Sequence, residues 1–226
     1  HLVGVVCYRG PQLLQCLLEM LLDQDGATHT ALFAALVARI ERVPLLAGGY
    51  GVRVREFMQR FVTTLIERRP QLLVTQRDAV LAVLRDSSTA QLELACVLVF
   101  CIGRHLTAAT CDGDAAQLAK QIEYYFQQLE VLAYELTGDL SLQQMRLALL
   151  TLSCMAQLAC RHRGALVARV LLCLVSKIRN TATNEMLLAR AHELIRLLRT
   201  PVANELFDAS VDETMQPQLQ VLLSVD

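Results

Sequence analysis

Gly48-Gly49-Tyr50-Gly51 precedes a run of helical periodicity, and glycine-rich loops at helix N-termini cradle phosphate with their backbone N–H groups. Nucleotide chemistry needs more. A following Gly-Lys-Ser/Thr supplies a lysine and a magnesium-binding hydroxyl, or a third spaced glycine completes a dinucleotide fingerprint, and neither is present. What remains is a loop through which two helices turn. Cys160, His162 and Cys173 are of metal-ligating types, but structural zinc sites bring paired ligands at tight spacing; there is no CxxC pair and no evident fourth ligand. His192-Glu193 has no second His four residues on, so it makes no HExxH site, and no GxSxG elbow presents a serine. Glu130 with Glu135, or Asp112 with Asp114, are carboxylate pairs by spacing, yet a solvated helix face and a helix cap account for them. No catalytic, cofactor-binding or metal-ligating residue is assigned, no small-molecule substrate is implied, and the chain reads as non-enzymatic.

The elements around these residues are therefore the informative part. A chain of 226 residues can bury a sizeable core without disulfide or metal support. Its apolar content of 54% is high and its charged content of 19% low for a globular domain, which favours a body buried on several sides or carrying faces for other chains. Eight Cys fall mostly within apolar helical runs with no framework, as small core side chains do in a reducing compartment. The longest uncharged stretch, Leu147 to Cys160, is short of the ~18–20 residues that cross a bilayer. The opening at His1 resembles no signal peptide and suggests a cut within a longer protein.

Apolar residues recur every three or four positions almost throughout, which predicts nine helices and a short tenth. The expected spans are about Pro11–Leu22, Thr28–Val43, a third after Gly51, a single helix from Pro70 to Leu84, and one from Ala90 to Leu106 capped within Asp86-Ser-Ser-Thr89. Asp114 caps a sixth that Gly138 closes, and Ser141 caps a seventh to Cys160. Gly164 precedes an eighth through Lys177, and the ninth, Glu185 to Arg199, ends before Pro201. The helix after Ala90 is apolar nearly all round and should sit centrally. Short connections make neighbours antiparallel, so the fold class is all-α: an irregular α-solenoid of HEAT or armadillo kind over residues 1–206, followed by an acidic tail over 207–226, irregular until Leu219 to Leu223.

Charge is uneven. Of the 21 Lys and Arg only Lys120 and Lys177 are Lys. Between Arg146 and Arg199 nine basic residues face Glu185 and Glu193, a balance of +7, and the last 27 residues carry −5. A basic helical surface over 146–199 suits an acidic partner, anionic membrane or nucleic acid. Aromatic residues do not interleave there, which argues against single-strand stacking.

Five stretches, in order, resemble one family. They are Gly49-Tyr-Gly-Val52, Arg69-Pro-Gln-Leu-Leu-Val74, Ile102-Gly-Arg-His-Leu106, Gln121-Ile-Glu-Tyr-Tyr-Phe-Gln-Gln-Leu-Glu-Val-Leu-Ala-Tyr-Glu-Leu-Thr137 and Ala191-His-Glu-Leu-Ile-Arg-Leu-Leu-Arg-Thr-Pro-Val-Ala203. Together they resemble the C-terminal part of the zeta-subunit family of adaptor protein complex 5, from about Gly49 to Phe207. The resemblance implies a large-subunit solenoid acting with beta, mu and sigma subunits, peripheral on late endosomes and lysosomes, in association with spatacsin and spastizin. It implies no catalytic residue.

Overall fold

The computed structural model describes residues 26–40, 50–86, 92–162, 165–180 and 184–198, together with Cys16, Glu19, Met20 and Asp23. Among these residues every regular element is helical. Cys16, Glu19 and Met20 lie in the first expected helix, where the Asp23 N–H bonds to Glu19 O at 3.0 Å. The rest of that helix, Gly48, Gly49, the cap candidates Ser87 to Thr89, Gly164, Pro201 and Leu219 to Leu223 fall outside the described residues.

By internal packing the chain divides into two units, His1–Leu118 and Ala119–Asp226. In the first, α1 (Gly26–Ile40) buries Phe33, Leu36 and Val37 and packs on α2 (Tyr50–Arg68), α3 (Leu72–Thr75) and α4 (Arg77–Arg85). The amphipathic α2 turns Phe57, Phe61, Val62, Leu65 and Ile66 inward and Glu56, Arg60 and Arg68 outward, as its spacing predicts. It packs on α5 (Leu92–His105), and Gln59 Nε2 donates to Glu93 Oε2 across the contact at 2.9 Å. α5 is buried nearly all round, leaving Phe100 and Arg104 exposed among its described side chains. The expected central helix is thus in place.

Two local expectations are corrected. Pro70 ends α2's run as anticipated, but the residues after it do not form one helix to Leu84. The chain winds in through i to i−3 bonds from Leu72, Leu73 and Val74 to Arg69, Pro70 and Gln71, then breaks at Gln76 (φ −111°, ψ 24°) between α3 and α4. No Gly or Pro marks the break; it leaves Leu72 and Leu73 on one piece and Val80, Leu81, Val83 and Leu84 on the other all buried, and Asp78 in the first turn of α4. After α5 a short 3₁₀ turn, Ala108–Cys111, is added, ending with Asp112 at φ 50° and Gly113 at φ 78°.

α6 (Ala115–Glu135) spans the division between the units. Asp114 Oδ1 accepts from the N–H groups of Ala116 and Gln117 at 2.9 and 3.2 Å, satisfying donors that the first turn leaves open. Gly138, at φ 76°, takes the left-handed turn after the helix, where an L side chain would be strained. In the second unit α7 (Leu142–His162) opens with a reciprocal box: Gln144 N–H donates to Ser141 Oγ at 3.3 Å and Ser141 N–H to Gln144 Oε1 at 3.0 Å. α8 (Ala165–Asn180) and α9 (Glu185–Leu198) come next in the chain, and α7, α8 and α9 all pack on one another. Asn184 Oδ1 accepts from Leu187 N–H at 3.2 Å at the start of α9.

Candidate interaction surfaces

Three residues of α8, Arg169, Cys173 and Lys177, recur at steps of four and so share one face. On α6, Glu123 and Glu130 lie seven residues apart on one face, with Phe126 between them. Arg169 clasps both carboxylates. Nε and Nη2 bond the two oxygens of Glu130 at 3.1 and 2.5 Å, Nη1 bonds both oxygens of Glu123 at 2.7 and 2.9 Å, and the guanidinium lies 4.7 Å from the Phe126 ring centroid. The hydrogen bond to Glu130 is the largest cause holding the Arg169 proton tighter than usual.

Two turns on, Lys177 is buried, and its Nζ donates to the carbonyl oxygens of Ala133, at 2.5 Å, and Leu136. Those carbonyls end α6, where intrahelical donors run out and the helix dipole favours a cation. Burial pulls the Lys177 pKa down to about 8. Between the two cations, burial pushes the Cys173 thiol up to about 12, and it does the same at Cys101 and Cys154. A thiol that stays protonated is no nucleophile.

The other residues singled out for chemistry do not assemble. Tyr50 and Gly51 are inside α2 rather than in a loop, so the helix begins earlier than expected. Cys160 is exposed while Cys173 is buried, and among the described residues no three of His, Cys, Asp and Glu are grouped to hold a metal. Glu193 pairs with Arg190, Glu130 is taken by Arg169, Glu135 points to solvent, and Asp114 is a cap. No described helix is long and apolar enough to cross a membrane.

Among the described side chains the basic stretch does not face one way. Arg169 and Lys177 turn inward, and Arg190 donates to Ser153 Oγ of α7 at 3.0 and 3.3 Å as well as to Glu193. Arg146 and Arg161 are exposed but stand fifteen residues apart on α7, about 22 Å along its axis, with Arg196 on another helix. A continuous phosphate-tracking row is not formed by the described side chains. The sequence offered charge counts without directions, so the inward role of Arg169 and Lys177 was invisible in it; the Glu-x-x-Phe-x-x-x-Glu spacing was the available hint.

What faces outward on α6 is apolar and aromatic. Tyr124, Val131 and Tyr134 are 37%, 48% and 46% exposed, and with Gln127 they form one stripe at steps of three and four. Single exposed apolar residues are ordinary, but a row with two tyrosines presents large, stiff, amphipathic area of the kind enriched at protein interfaces. Phe100 of α5, with Arg104 5.8 Å from its ring centroid, is a smaller example.

Helices that stack on one another, carry charge inward as a brace and show an aromatic row outward define an all-α helical-repeat protein. The particular family is shown by comparison: the chain belongs to the family described as AP-5 complex subunit zeta-1, C-terminal TPR repeats, whose model matches residues 3–220. This is the family that the sequence resembles, and it fixes the expected all-α solenoid as one of TPR type. No curated protein and no solved structure matches. The chain is accordingly an adaptor-complex subunit, a non-enzymatic kind of protein.

Proposed function

We propose that this chain is a structural subunit in late endosomal and lysosomal vesicle-mediated protein transport, a helical scaffold on which the beta, mu and sigma subunits of the complex are held. Residues 1–206 serve as the scaffold, and residues 207–226 are an acidic C-terminal appendage. Association with spatacsin-like and spastizin-like chains and a peripheral place on the membrane through the complex belong to the same reading. The observation that carries it is the family match over residues 3–220. The exposed Tyr124, Val131 and Tyr134 row supports it, because a scaffold acts by burying such area against partners.

The test is recovery of the tagged full-length chain from cells of its own organism at moderate ionic strength. Beta, mu and sigma subunits in stoichiometric amounts are expected in the recovered material. Recovery without any of them overturns the reading.

A further inference from the structure

The apolar stripe of α6 runs between carboxylates. At 3.6 residues per turn Tyr124, Gln127, Val131 and Tyr134 fall within about 80° of one another, with Glu123 and Glu130 along one edge and Glu135 along the other. From Gln121 to Met145 the chain has no Lys or Arg. The cation that meets these carboxylates is Arg169, reaching over from α8. Among the described side chains, three carboxylates along the stripe therefore face one guanidinium, a balance of −2. Lys120 is exposed one turn before Tyr124 and offsets the N-terminal end alone. The charge of Glu130 is felt on the stripe itself: after burial and Cys173, it is the third cause raising the Tyr134 phenol above its usual pKa.

The two-to-one clasp decides what can cover the stripe. Glu123 and Glu130 share one guanidinium, and Glu123 is open enough for water to solvate the charge left over. Covering Tyr124 and Val131 removes that water, and a carboxylate desolvated without a full counter-charge is costly unless the cover brings a cation. A second copy does not bring one. In an antiparallel pairing about a two-fold axis Lys120 of each copy would meet Glu135 of the other, yet both clasps would carry their surplus charge into the same contact. A parallel pairing would set like charges against each other. An anionic membrane repels the same edge.

We propose that the Tyr124, Val131 and Tyr134 stripe seats an amphipathic helix of a partner subunit that carries Lys or Arg on both edges of its apolar face. The inference rests on the reading of the chain as an adaptor-complex scaffold and adds the chemistry that selects the partner at this place. Cations on one edge complete the half-neutralised clasp of Glu123 and Glu130, and those on the other meet Glu135. Because Arg169 already fixes the two clasp carboxylates, they are held ready for the incoming charge. The occupant is helical because ridges on one helix fit the grooves of another.

The test places a photoreactive benzoylphenylalanine at Val131 of the tagged full-length chain in cells of its own organism and maps the cross-linked peptide by mass spectrometry. The expected product joins position 131 to a co-recovered adaptor subunit, at a segment where Lys or Arg recurs at helical spacing. Glu135→Lys lies outside the clasp and should reduce that product at least about fivefold with helical circular dichroism unchanged. Lys or Arg→Glu in the captured segment should then restore it. Undiminished product in Glu135→Lys and in Glu123→Gln with Glu135→Gln, a loss that the reciprocal change does not restore, or a captured segment without Lys or Arg would overturn the proposal and leave the scaffold reading in place. Capture of a second copy or of lipid, or no product at position 131 while adaptor subunits are still recovered, would do the same. Absence of adaptor subunits from the recovered material would sink the scaffold reading and the proposal with it.

Discussion

Lys177 carries the sharpest prediction at the scale of single residues. Its pKa is about 8 when folded, below the ~10.4 of a free lysine, so burial disfavours the charged form. Between about pH 8 and about pH 10.4 the unfolded chain therefore holds more protons at this site, and stability from this group rises with pH through that window. Below pH 8 the full penalty stands. Urea unfolding of wild type and Lys177→Met across this range should show their free-energy difference moving in favour of wild type by about 3 kcal/mol. A flat difference would mean that the Ala133 and Leu136 carbonyls offset the burial. Working with the difference removes the opposite slope from Cys101 and Cys154, whose raised pKa values favour the folded state less as pH climbs. Cys173 feels the Lys177 charge, so its own slope is part of what the difference reads. Those thiols should also resist alkylation: a short iodoacetamide pulse near pH 8 should label Cys16 and Cys160 in the folded chain and leave Cys101, Cys154 and Cys173 unlabelled until urea is added.

Elements are where the sequence was most legible, because their ends are marked by local chemistry. Asp114, Ser141 and Gly138 were readable as two caps and a stop, and each is one, since a carboxylate, a hydroxyl and a side-chain-free residue satisfy terminal needs without tertiary help. Ser141→Ala should cost about 1 kcal/mol in chemical denaturation. Gly138→Ala should cost about 1 kcal/mol as well, and because no atom lies within 4 Å of the added Cβ, that loss is conformational rather than steric. The break at Gln76 was illegible for the converse reason: no residue type there enforces it. The buried row Leu118, Ile122, Phe126, Leu129 and Leu132 of α6, continued by Leu136 just past its end, was legible from its period. The direction of Arg169 and Lys177 was not, because which end of a long basic side chain is buried depends on the helix opposite.

At the scale of the whole molecule, the near-zero net charge of −1 conceals a division between braces, surfaces and tail. Arg169 and Lys177 together tie α8 to α6 at two heights, so the outward stripe of α6 is presented on a helix braced along its flank, where Gln127 of the stripe also donates to Glu123. The clasp is partly open to solvent: the Glu123 side chain is 45% exposed and Glu130 21%. Arg169→Met should therefore destabilise by about 1–2 kcal/mol in urea unfolding rather than abolish folding. The central claim, that this is a scaffold whose α6 stripe meets partner subunits, is most directly tested by comparing wild type with the Tyr124→Ala, Val131→Asp, Tyr134→Ala variant in tagged recovery of the full-length chain. Unchanged helical circular dichroism with at least about tenfold less co-recovered adaptor subunit, roughly 1.4 kcal/mol or more of lost interface energy, is the predicted result. Full recovery of beta, mu and sigma subunits by a variant that folds normally would contradict it.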